Sequence, residues 1–141
     1  MLRLIAMVEI TTTYQGQLRC TAIHGPSQNN LTTDAPKDNM GKGEAFSPTD
    51  LVATALGTCI LTTMGIVAQR NNLDISGATA IVTKEMVSTP ARRVGRLTAT
   101  IRISAKLSEE DRQRLENAGR NCPVYKSLHP EIETPITFSW G

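Results

Sequence analysis

An excess of charge of either sign is missing from this chain. Its 15 Lys and Arg against 13 Asp and Glu leave a formal net charge of +2 over 141 residues, and the basic residues are scattered. That is too weak an electrostatic footprint for a nucleic-acid partner. Cysteine is scarce as well: three residues, Cys20, Cys59 and Cys122, are an odd number without a dense framework. They exclude a disulfide-stapled secreted scaffold and fit a reducing compartment. No Cys-x-x-Cys occurs and no Gly-rich loop follows a strand-like segment, so zinc, nucleotide and dinucleotide readings rank low. There is no low-complexity tract, internal repeat or linker, which predicts one domain over residues 1–141. The apolar start, Met1 to Ala6, is too short for a signal peptide and has no cleavage-site pattern. The expectation is a cytoplasmic protein, with residues 1–7 a leader that is disordered or precedes an alternative start at Met7.

Charge is absent altogether from Leu51 to Ala68, inside the stretch SPTDLVATALGTCILTTMGIVAQRNN that runs from Ser47 to Asn72. The stretch predicts a helix with Ser47 as N-cap, Pro48 at its first position and Asp50 three residues past the cap. Arg70 and the Asn71-Asn72 pair end it. Apolar or small residues fall on every face, the pattern of a helix buried on all sides. The uncharged run reaches the length at which a membrane span is considered, but four threonines, two glycines and the caps argue for a core helix and against a membrane partner.

Before this helix, Val8 to Tyr14 alternates as a strand, Gln15-Gly16 reads as a turn and Leu18 to Ile23 returns as a second strand. His24-Gly25-Pro26 breaks the pattern, Leu31 to Asp34 is a short third strand, and Ala35 to Ala45 is an exposed loop. After the helix, Ile75 to Val87 and Val94 to Leu107 form a second hairpin. A charged amphipathic helix, Ser108 to Ala118, carries its cap at Ser108 and three acids in its first turn. Cys122 to Leu128 predicts a short helix, and Ile132 to Trp140 a last strand. The order β-β-β-α-β-β-α-α-β predicts an α+β fold: an antiparallel sheet from the N-terminal and central hairpins, packed on a long buried central helix. One small sheet covers only part of such a helix. The same helix of a second copy is the natural cover, which predicts an obligate homodimer.

Each cysteine admits two readings. Inert packing is the commoner fate of a cysteine in a helix core such as Cys59, and burial alone would silence it. The dipole of its own helix fades beyond the first turn, three turns away. A reactive Cys59 therefore needs a cation from elsewhere, and Arg19 on the second strand is the candidate, because guanidinium stays charged when buried; its bland reading is an exposed strand residue. Cys122 stands before Pro123 at a helix start, where N–H groups can lower a thiol pKa; alternatively it is a half-buried cap, a role Asn121 also fits. Cys20 follows Arg19 on a strand and points the opposite way. Metal ligation fails on distance: Cys20 and His24 are about 13 Å apart in an extended strand, and Cys122 and His129 flank a helix of comparable length. No metal or cofactor is expected, and His129 receives no role.

Together, SPTDLVATALGTC and the downstream NCPVYKSL resemble the two cysteine motifs of the OsmC/Ohr family of thiol peroxidases. The element order is similar from about Val8 to Trp140. The resemblance implies an intertwined homodimer with two sites that reduce hydroperoxides, Cys59 matching the peroxidatic cysteine, Cys122 the resolving one and Arg19 the activating arginine. Several members carry a glutamate directly after the proline that opens the central helix. Here that position is Thr49, and the nearest acid, Asp50, is the expected partner of the arginine. The implied cycle oxidises Cys59 to a sulfenic acid, closes a disulfide with Cys122 and restores both thiols with an external dithiol, a lipoyl group by resemblance. The substrate is an alkyl or lipid-like hydroperoxide if Met40 or Met64 lines the site. Two alternatives stand beside this: a non-catalytic dimer that binds a small apolar ligand, and a redox sensor that forms the disulfide without turnover.

Overall fold

The computed structural model describes residues 3, 4 and 6–141. Met1, Leu2 and Ile5 of the expected leader lie outside the described residues. The chain divides into two compact units, Met1–Leu51 and Val52–Gly141.

The first unit is a three-stranded antiparallel sheet in the order β1 (Ile10–Gly16), β2 (Arg19–His24), β3 (Asn30–Asp34). The first hairpin turns at Gln17 and Leu18, both at positive φ (54° and 63°), two residues later than the Gln15-Gly16 turn read from sequence. Two consecutive left-handed residues are what a tight two-residue hairpin demands, and their backbone twist matches that of the strands. Along β2–β3 the register places Arg19 opposite Asp34 and Cys20 opposite Thr33. Val8, Ile10, Tyr14 and Leu31 are exposed, and among the described residues of this unit only Thr33, Asp34 and Ser47 are buried.

The second unit holds the core. A helix, α1 (Pro48–Arg70), begins in the first unit and supplies one wall through Ala53, Leu56, Ile60, Met64 and Ala68. Its start is a reciprocal capping box: Ser47 Oγ accepts the Asp50 N–H at 3.1 Å, and Asp50 Oδ2 accepts the Ser47 N–H at 2.9 Å. Its end is a left-handed Asn72 at φ 55°, after which the Leu73 N–H returns to Ala68 O at 2.8 Å. Facing the wall is a sheet of β4 (Thr79–Val87), β5 (Arg93–Ile103) and β6 (Ile136–Trp140), with β5 central. Val94, Leu97, Ala99, Ile101 and Ile103 of β5 are buried. The period of two breaks once, after Val94. There Glu85 pairs with Arg96 and Met86 with Val94, leaving Gly95 as an extra residue. A Cβ on Gly95 would lie 2.5 Å from Val87 Cγ1, so any other residue at the bulge must push the Val87 side chain aside.

Two features differ from the sequence prediction. The strands form two separate sheets, and the last strand runs parallel to β5. A parallel pair needs a crossover of a dozen or more residues, which the chain supplies with α2 (Glu109–Arg120) and α3 (Pro123–Ser127). In addition, α1 is buried along one stripe, whereas Thr54, Thr58, Thr62 and Ile66 form an exposed one. The Thr58 hydroxyl donates back to Thr54 O at 2.8 Å, which lets threonine occupy a helix face without an outside partner.

The fit of α2 on α1 turns on Gly119. A Cβ there would sit 3.2 Å from Ile60 Cγ2 and from Met64 Cγ and Sδ. Gly119→Ala should be near neutral, because better helix propensity offsets the tight contact. Gly119→Val forces the helices apart and should destabilise by about 1–3 kcal/mol in urea denaturation. Met64 is fully buried at this contact. It is therefore a core residue and not the flexible site lining suggested by its side-chain chemistry.

Candidate active site

The second unit brings two of the three expected site residues together. Cys59 lies midway along α1, half-buried, with Thr63 Oγ1 4.0 Å from its sulfur. Cys122 is the N-cap of α3 and completely buried; its Sγ accepts the Tyr125 N–H at 3.4 Å. The next amide in the same turn goes elsewhere: the Val124 N–H donates to Cys59 Sγ at 3.5 Å. Pro123 explains the arrangement, since it starts the helix at the position where an N–H is not needed and leaves the following amides pointing back along the axis. Two residues 63 positions apart thus meet at one helix start, close enough for Cys59 to bear on the Cys122 thiol, and both are reduced.

Burial pushes the Cys122 thiol above its ordinary value, opposed by the Tyr125 N–H, reinforced by the neighbouring Cys59 and opposed again by the Val124 N–H. The sequence suggested that the helix start would lower this pKa. The amides do act in that direction, but complete enclosure outweighs them. The sequence did not reveal that an α3 amide serves Cys59, because that depends on the packing of two helices remote in sequence.

Arg19 belongs to the first unit, where it has two acidic neighbours. It ion-pairs with Glu44, and its Nη2 stands 3.6 Å from Asp34 Oδ2. The Glu44 pairing holds the guanidinium above even its ordinary high pKa. Asp34 is held below the usual carboxylate range, first by the Glu44 N–H, which reaches Oδ2 at 3.0 Å, and this wins against its burial; Arg19 adds to it. Asp50, the acid expected beside Arg19, uses a carboxylate oxygen in the capping box, and the acids paired with Arg19 are Glu44 and Asp34. Asp34 was findable: a turn centred on Pro26-Ser27 brings residues 19 and 34 into register, and directly opposed strand residues share a face. Nothing in the sequence distinguishes Glu44 from the other charges of its loop. Cys20, the strand neighbour of Arg19, pairs with Tyr14 and Thr33.

His129 Nδ1 accepts the Glu131 N–H at 3.1 Å, and His24 Nδ1 bonds with Ser27 Oγ at 2.6 Å. Among the described residues no three His, Cys, Asp or Glu converge as a metal site. A cavity of about 240 Å³ lies between the C-terminal half of α1 and residues 73–78, with Leu61, Ala68 and Asp74 in its wall; neither cysteine lines it.

Comparisons with known proteins bear on the family and the fold. The family model described as OsmC-like protein matches residues 41–137. Among solved structures, the chain is similar to an osmotic stress induced and detoxification response protein of Psychrobacter arcticus 273-4, with 46% identity over 97% of this chain and 99% of that one and a TM-score of 0.88. It is also similar to the organic hydroperoxide resistance protein OsmC of Legionella pneumophila, with 14% identity, 97% and 99% coverage and a TM-score of 0.78. An organic hydroperoxide resistance protein of Elizabethkingia anophelis matches at 15% identity, 99% and 100% coverage and a TM-score of 0.78. The last two likenesses concern the fold alone. A search of curated proteins finds no match.

Proposed function

Because the chain belongs to the OsmC-like protein family, we propose that it is a thiol-dependent peroxidase that reduces organic hydroperoxides through Cys59 and Cys122. The observation that carries this reading is the meeting of the two thiols at the start of α3, with one amide donating to each sulfur. Mere packing of two cysteines does not require their sulfurs to share one helix start, whereas a disulfide does require sulfurs within bonding reach.

The Cys59 thiolate attacks the distal oxygen of the hydroperoxide. The O–O bond breaks, the alkoxide leaves and takes up a proton as alcohol, and Cys59 becomes a sulfenic acid. Arg19, the residue matching the family's activating arginine, favours the thiolate and the charge building on the leaving oxygen. The Cys122 thiolate then attacks the sulfenic sulfur, hydroxide departs as water, and a disulfide joins the two residues. Two exchanges with an external dithiol, lipoyl by family resemblance, restore both thiols. The working unit is a homodimer in the cytoplasm. In support of the dimer, Ile10, Tyr14 and Leu31 of the first sheet and Ile66 of α1 are exposed apolar side chains that a second copy would cover.

The test is to mix reduced protein with one equivalent of tert-butyl hydroperoxide and map disulfides by peptide mass. A Cys59–Cys122 link formed within the mixing time, and reduced again by dihydrolipoamide with turnover, is the expected result. The link without turnover would indicate a sensor. Thiols that stay unchanged would overturn the proposal.

A further inference from the structure

Two buried side-chain polar atoms lack a partner among the described residues, Arg112 Nε and Asp34 Oδ1, and the second lies beside Arg19. Asp34 has a completely enclosed side chain, and its Oδ1 has no hydrogen-bond partner among the described residues, although the charged form of the group is favoured. Its other oxygen takes the Glu44 N–H at 3.0 Å and has Arg19 Nη2 at 3.6 Å, too far for a good bond. Arg19 lies directly across the strand pair and gives its close contact to Glu44. A guanidinium binds a carboxylate best with two parallel N–H groups on two oxygens, and here the fork approaches one Asp34 oxygen while the other, buried, stays unfilled.

The two acids differ in freedom. Asp34 is pinned: its N–H donates to Phe46 O at 3.0 Å, and the following Ala35 N–H to Leu18 O at 3.2 Å. Apart from its contact with Arg19, Glu44 is pinned only through its backbone, by the amide it gives to Asp34, while its side chain is 59% exposed. The Glu44 carboxylate can therefore swing into solvent without disturbing the loop. We propose that Arg19 has two stations, the observed one on Glu44 and a second with its fork on both oxygens of Asp34. Asp34 is then the positioning residue that keeps the guanidinium in place when Glu44 lets go. This deepens the proposed function and rests on the role assigned there to Arg19.

The full-length protein decides the matter by NMR of the arginine side chains, with Arg19→Gln identifying the Arg19 Nε–H signal. In Glu44→Gln, which alters an exposed side chain, the signal should keep its protection against solvent exchange within about threefold, because Asp34 takes over. In Asp34→Asn it should lose protection by about tenfold or more, since an amide cannot accept at both positions. Loss of protection in Glu44→Gln alone would overturn the proposal even if Asp34→Asn failed to fold; unchanged protection in a folded Asp34→Asn would do the same. The oxidation rate of Cys59 by hydroperoxide, taken on the same samples, separates the two levels. It should fall about tenfold in Asp34→Asn, towards the rate of Arg19→Gln. A signal released in Asp34→Asn with no change of rate in either variant confirms the hold on Arg19 and counts against its part in the peroxidase cycle.

Discussion

Cys59→Ser should lower hydroperoxide turnover by at least about a thousandfold, the scale seen when a lone nucleophile is removed from an enzyme. Serine keeps the shape of the side chain and can still accept the Val124 N–H that now reaches the sulfur, so the fold should survive. What disappears is a polarisable anion: the hydroxyl does not ionise near neutral pH and has no sulfenic state. Turnover is measured as peroxide consumed under excess dithiol, with far-UV circular dichroism as the folding check. Cys20→Ser is the matched control, because that residue lies on β2 with Tyr14 and Thr33 as its strand partners, and it should turn over like the parent. A Cys59→Ser protein retaining a tenth of the parent rate would remove the chemical basis of the proposed cycle.

Cys122→Ser should separate the two halves of the reaction. The first equivalent of peroxide is still consumed, since Cys59 is intact, but steady-state turnover falls about tenfold or more because a tethered thiol is replaced by a diffusing one. Cys59 should then climb to sulfinic acid under excess peroxide, seen as a gain of two oxygens in its peptide. The parent protein adds a pH signature. Burial raises the Cys122 thiol, so little of it is thiolate at neutral pH, and disulfide closure should accelerate as pH rises. The same shift has a stability consequence of fixed sign. The folded state favours the protonated thiol, so its contribution is fully present below the ordinary value of 9.0 and is lost as pH climbs above that through the folded value. Alkaline unfolding should therefore come later in Cys122→Ser than in the parent.

Local chemistry made much of this legible in the sequence. The ends of α1 and α2 follow from Ser47, Pro48, Asp50, Asn72 and Ser108, each acting on amides or carbonyls within one turn. The cap role of Cys122 follows from Pro123 in the same way, and both observed cysteine neighbours are residues singled out for their type. Partners set by long-range packing were not legible. The parallel pairing of β6 with β5 depends on where a 32-residue crossover, residues 104–135, sets the chain down. Likewise Glu44 reaches Arg19 because of a loop path that composition does not encode. Asp34 is intermediate: strand register places it opposite Arg19, but only through a turn centred on Pro26-Ser27.

Complete enclosure of Cys122 gives the recycling step a direction. In the proposed cycle a disulfide between the two leaves the enclosed Cys122 sulfur out of reach of a visiting dithiol, so attack is expected at half-buried Cys59, with the mixed disulfide forming there and Cys122 departing. The departing thiolate is born inside the protein beside the Tyr125 amide, which eases an otherwise poor exit for a sulfur of raised basicity. If the proposed cycle holds, a slim, flexible dithiol is expected to outpace a protein dithiol set in a flat surface, because it would be met at one helix face only.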